Sequence, residues 1–131
     1  MRYIPPFAVI KESVEISTSK GQLIATATYE NLIRIIKLLV SGLEVDEDWY
    51  LLQYPDVAAA VAEGTITSAR QHFVDDGYFE GRLPIAMEVD ERWYNKEYPD
   101  VAESIRKGDE PSAQAHFLRE GYKEGRLPFP S

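Results

Sequence analysis

The chain has no cysteine. That excludes disulfide frameworks, thiolate metal sites and cysteine nucleophiles. Histidine is almost as scarce, with His72 and His116 the whole supply. No apolar run approaches the roughly 18 residues of a membrane-spanning helix. The start, with Arg2 and then Pro5-Pro6 in a short apolar stretch, does not read as a secretory signal, so a cytoplasmic location is expected. There is no glycine-rich phosphate loop, Ser-His-Asp order or zinc motif. Positive charge is also short. Lysine and arginine number 14 against 22 acidic residues, a net charge of −8. Residues 1–44 hold five basic and four acidic residues, so the deficit falls entirely on the remainder, at −9. A phosphate backbone or an anionic membrane would be repelled there, which argues against both as partners.

What the chain does have is an echo. Val45-Asp46-Glu47 and Trp49-Tyr50 return as Val89-Asp90-Glu91 and Trp93-Tyr94. Tyr54-Pro55-Asp56-Val57-Ala58 returns as Tyr98-Pro99-Asp100-Val101-Ala102, and His72-Phe73 as His116-Phe117. Glu80-Gly81-Arg82-Leu83-Pro84 returns as Glu124-Gly125-Arg126-Leu127-Pro128. The offset is 44 throughout, and 22 of 40 aligned positions are identical, a tandem repeat over 45–84 and 89–128.

Each copy reads as three short helices. Asp46 and Asp90 are N-caps with acids following, and Val45–Tyr50 and Val89–Tyr94 have hydrophobic-staple spacing. Pro55 and Pro99 end one helix and open the next. Gly64 and Gly108 stop the second helix, and Gly77 and Gly121 are expected as left-handed caps of the third. Before the repeats, residues 28–42 predict a helix capped by Thr28 and stopped at Gly42. Its apolar arc (Leu32, Ile33, Ile35, Ile36, Leu38, Leu39, Val40) is wide enough to predict burial on more than one side, as a central post. Residues 1–27 predict a β-hairpin, from the alternation at Val14–Thr18 and the Ser19-Lys20-Gly21 turn, or else an extended arm. The fold expected is mainly α: two three-helix repeats packed on a central helix, with an N-terminal hairpin or arm, as one compact domain.

The pattern of Trp-Tyr, Tyr-Pro-Asp-Val-Ala, His-Phe, Gly and Glu-Gly-Arg-x-Pro over residues 45–128 resembles a short tandem repeat of bacterial proteins. That repeat stands beside glycosyltransferase domains or in large secreted and surface proteins, usually with Asn where this chain has Tyr54 and Tyr98. The resemblance implies an accessory or interaction module, linked to surface polysaccharide, and carries no catalytic residues.

Candidate sites weigh against structural roles. His72 and His116 are expected to be half-buried and hydrogen-bonded to the next repeat or to a backbone carbonyl, since no second ligand or nucleophile is placed beside them. Asp56–Arg82 and Asp100–Arg126 are expected as ion pairs from the second helix to the final turn. Glu44, Asp46, Glu47 and Asp48 lack the glycine of a calcium loop. Trp49, Tyr50, Tyr54, Trp93, Tyr94 and Tyr98 are core residues or sugar-stacking platforms. Leu51, Leu52, Ala59, Ala62, Ile66 and Phe79 of the first copy face Asn95, Lys96, Glu103, Arg106, Glu110 and Lys123 of the second. Copy one is therefore expected to be covered on a face that copy two turns to water. The function expected is a non-catalytic protein-interaction module, homodimeric or bound to a protein partner, with no cofactor and no metal. The alternative is a carbohydrate-binding protein using the repeated Trp and Tyr residues.

Overall fold

The computed structural model describes residues 2–131. The chain is mainly α-helical with one small hairpin. It divides into two compact units, Met1–Ile85 and Ala86–Ser131. The division follows from chemistry within each copy, because each helical triplet closes a hydrogen-bond network of its own.

In the first unit a short helix α1 (Phe7–Lys11) leads into the antiparallel pair β1 (Glu15–Ser19) and β2 (Gln22–Thr26). Ser19 pairs with Gln22, so the loop is two residues, and both have positive φ, Lys20 at 51° and Gly21 at 78°. That is the backbone twist a tight hairpin demands. Helix α2 (Tyr29–Val40) follows, its Thr28 hydroxyl accepting the Asn31 N–H at 3.1 Å. The N–H groups of Arg2 and Tyr3 donate to the Gly42 carbonyl at 2.7 and 3.2 Å, tying the start of the chain to the end of α2.

The breadth of the apolar arc on α2 overstated its burial. Val40 alone is buried, while Tyr29, Leu32 and Leu39 are 77, 45 and 39% exposed. Ile36 and Val40 pack against the first triplet, and Ile33, Ile35 and Leu38 are half-buried.

The first triplet is α3 (Glu47–Gln53), α4 (Pro55–Ala62) and α5 (Ala69–His72), the last running on as a π-turn over Phe73–Gly77. Asp46 caps α3 through the Trp49 N–H at 3.1 Å, Pro55 opens α4, and Ser68 caps α5. Tyr50, Val57, Ala69 and Phe73 form the core with Val40, and Val45 and Leu43 close its edge. The second unit repeats this with α6 (Glu91–Glu97), α7 (Pro99–Arg106), α8 (Ala113–His116) and a π-turn at Phe117–Gly121. Tyr94, Val101, Ala113 and Phe117 are buried there. In each copy the first and last residues meet: Asp46 N–H donates to the Pro84 carbonyl at 3.1 Å, and Asp90 N–H to that of Pro128 at 2.9 Å.

Candidate functional site

The repeated residues assemble into one cluster per copy. In the first, the Tyr50 hydroxyl lies 2.8 Å from His72 Nδ1, with Tyr50 wholly buried and His72 8% exposed. The histidine's partner is thus a phenol of its own copy, not a carbonyl or the next repeat. The two residues are 22 positions apart, beyond any helical periodicity. Burial pushes the Tyr50 phenol far above its ordinary range, and that of Tyr94 up to about 12.

Gly77 and Gly121 correct a second expectation. Neither has positive φ, so neither is a left-handed cap. A Cβ on Gly77 would lie 2.2 Å from the Tyr50 hydroxyl, and on Gly121 2.3 Å from that of Tyr94. These glycines make room for the phenol. The left-handed turns are at Gly64, Gly81, Gly108 and Gly125.

Around this pair sits a polar clasp. Arg82 grips Asp56 with two hydrogen bonds of 2.9 and 2.7 Å, and Arg126 grips Asp100 at 3.0 and 2.8 Å. The guanidinium holds the Asp56 carboxyl down at about 2 and lowers that of Asp100. The same guanidinium lies over the Tyr54 ring at 4.9 Å, and in copy two over Tyr98 at 4.8 Å. Leu83 N–H donates to the Tyr54 hydroxyl, and Leu127 N–H to that of Tyr98, both at 2.9 Å.

These contacts settle which aromatics are free. Tyr50 and Tyr94 are in the core at zero exposure and present no face to a sugar, which corrects their standing as ligand or interface residues. Tyr54 and Tyr98 are half-buried, each with an arginine over the ring. Trp49 and Trp93 are half-buried and meet the neighbouring tyrosine edge-on, at 6.2 and 6.1 Å. The apolar positions of copy one divide: Leu51 packs toward the core, while Leu52 is 83% and Phe79 39% exposed.

On the face of copy two expected to meet water, two residues do not. Glu110 is 4% exposed and ion-paired to Arg119, and Asn95 Oδ1 is buried with no partner among the described residues. The Glu110–Arg119 pair occupies the place of Ile66 and Asp75, which in copy one line a hollow of about 210 Å³ beside His72. Sequence reasoning also missed the residue that ties each copy to its lead-in. Arg70 donates to the carbonyls of Leu43, at 2.9 Å, and Ser41; its counterpart Gln114 donates to Met87. A signal was available, because positions 70 and 114 differ yet both carry side-chain donors.

One set of metal-ligand type is present. His116 Nε2, Glu120 Oε2 and Glu124 Oε1 lie within 4.8 Å of one another, on residues spaced four apart. The corresponding residues of copy one are His72, Asp76 and Glu80. A hollow of about 370 Å³ between the hairpin and the start of α2 has Glu12 and Glu15 as the ionisable residues of its lining. No helix among the described residues is long and apolar enough to cross a membrane. No protein-family model, curated protein or solved structure matches the chain.

Proposed function

We propose that the chain is a non-catalytic interaction module that self-associates through its N-terminal unit. The observation that carries this reading is where the uncovered apolar side chains fall. Of the fifteen large hydrophobic residues exposed among the described residues, eleven lie between Tyr3 and Leu52, among them Phe7 at 76%, Leu23 at 78% and Tyr29 at 77%. Exposed apolar area of that density marks an association surface.

Two further facts support it. Every residue of β1 and β2 is exposed, and a bare two-stranded hairpin is marginal in water, so covering it with a second copy stabilises it. Charge points the same way. Residues 1–44 carry +1 and the rest −9, so copies of this acidic chain approach with least repulsion through the N-terminal region. The resemblance of residues 45–128 to repeats of bacterial surface and glycosyltransferase-associated proteins is consistent with an accessory role.

The carbohydrate-binding alternative is weaker, because the repeated tyrosines are spent on the core and on the arginine clasp. Light scattering tests the preferred reading. A dimer is expected at tens of micromolar, converted to monomer by Leu23→Lys with Tyr29→Lys, both residues more than three-quarters exposed and outside the triplets. A wild-type chain that stays monomeric across that range overturns it.

A further inference from the structure

Both histidines are held alike, yet only the second has a complete set of donors around its free nitrogen. His116 is more than nine-tenths buried, and its Nδ1 is fixed by the Tyr94 hydroxyl at 2.8 Å. A ring nitrogen so anchored orients the other toward an ion, in the way outer partners orient metal-bound imidazoles. Nε2 makes no hydrogen bond of its own among the described residues. It faces Glu120 Oε2 at 3.7 Å and Glu124 Oε1 at 3.9 Å, longer than a hydrogen bond and spaced to admit something between them.

The neighbouring cations compensate this gap only in part. Arg126 commits both terminal nitrogens to Asp100, and touches Glu124 Oε1 only through Nε at 3.4 Å. Arg119 commits its terminal nitrogens to Glu110, and reaches Glu120 through Nε at 3.5 Å, on Oε1, the oxygen turned away from the histidine. Two carboxylates and an imidazole therefore converge, a donor set of the kind that holds a divalent ion.

We propose that His116, Glu120 and Glu124 form a binding site for one divalent transition ion of the zinc class. The imidazole selects against magnesium and calcium, which take oxygen ligands, and the carboxylates match zinc, cobalt or manganese. The side chains of Glu120 and Glu124 are 55 and 48% exposed, free to close the small distance onto an ion held by the fixed histidine. The remaining coordination positions face water. The ion would cross-link α8, the π-turn and the Glu124 turn, a structural role that goes beyond self-association. Copy one is the internal control. Asp76 stands where Glu120 does and is one methylene shorter, and only Glu80 approaches His72 Nε2, at 3.5 Å.

Calorimetric titration of the full chain with Zn²⁺, paired with Co²⁺ absorption spectroscopy, tests this. Expected are one equivalent of Zn²⁺ bound per chain and visible d–d bands with Co²⁺. The variant Glu120→Gln with Glu124→Gln keeps the buried Tyr94–His116 pair, its fold checked by circular dichroism, and is expected to lose affinity about tenfold or more. Absence of stoichiometric Zn²⁺ binding in the wild type, or unchanged binding in the double variant, overturns the site.

Discussion

The Tyr50 hydroxyl and His72 Nδ1 stand 2.8 Å apart in a core where Tyr50 has no solvent exposure, and Tyr94 and His116 reproduce the contact at 2.8 Å. A buried ring nitrogen that loses its partner keeps its desolvation cost. Tyr50→Phe and Tyr94→Phe are each expected to lower unfolding free energy by about 1–3 kcal/mol. Urea denaturation reads this as a shifted midpoint with unchanged slope.

Glycine to alanine in right-handed backbone ordinarily stabilises, by about 0.5–1 kcal/mol. At Gly77 and Gly121 the sign reverses, because the new methyl meets a phenolic oxygen at 2.2 or 2.3 Å. Overpacking of this kind costs about 1–3 kcal/mol. Combining Gly77→Ala with Tyr50→Phe removes the clashing oxygen, so the double variant is expected to be more stable than the sum of its parts. Additive losses would show that the glycine serves some other purpose.

Acid and alkali should each erode the fold, through different groups. The Asp56 carboxyl lies at about 2 in the folded chain against 3.8 unperturbed, and Asp100 is lowered too. Depressed carboxyls stabilise fully above the unfolded value and lose that contribution as pH falls from near 4 toward 2. Both aspartates are well exposed, at 66 and 64%, so each is worth less than about 1 kcal/mol. Tyr94 runs the other way: its phenol is raised from 10.0 to about 12, so its contribution holds below pH 10 and is lost as pH climbs through that window. Thermal melts across pH check both limbs. Asp56→Asn with Asp100→Asn should flatten the first, and Tyr94→Phe should lessen the second.

The buried Glu110 makes an asymmetric pair with Arg119. Replacing Glu110 by the isoleucine that copy one carries exchanges a buried charge for apolar packing, which is often neutral or favourable. Removing Arg119 strands the carboxylate. Arg119→Ala is expected to lower the melting temperature more than Glu110→Ile; the reverse order would mean that Glu110 does not depend on its arginine.

Local signals in the sequence were enough for the helical class, the hairpin and most element ends. Lys20-Gly21, Thr28, Asp46, Asp90, Pro55 and Pro99 act on backbone within a few residues, and each does in the structure what its chemistry suggests. Internal duplication also made the Asp56–Arg82 and Asp100–Arg126 pairs legible. What escaped depends on residues that are distant in the chain. Gly77 resembles a helix cap until Tyr50 is brought against it, and Glu110 resembles a surface acid until Arg119 folds over it. The breadth of the apolar arc on α2 misled for a related reason: periodicity reports which faces are greasy, not whether the same chain supplies the cover. No ligand was placed beside His116 by the sequence, because Glu120 and Glu124 meet its Nε2 only once the folded turn and the Tyr94 hydroxyl fix the ring.

The hydrogen bond from Asp46 to Pro84, and its twin from Asp90 to Pro128, joins each triplet's beginning to its end. A block whose entrance and exit are adjacent can be copied in register without stretching either neighbour, because the inserted segment starts and stops at nearly the same point in space. Growth by whole 44-residue steps then leaves every buried phenol–imidazole pair undisturbed.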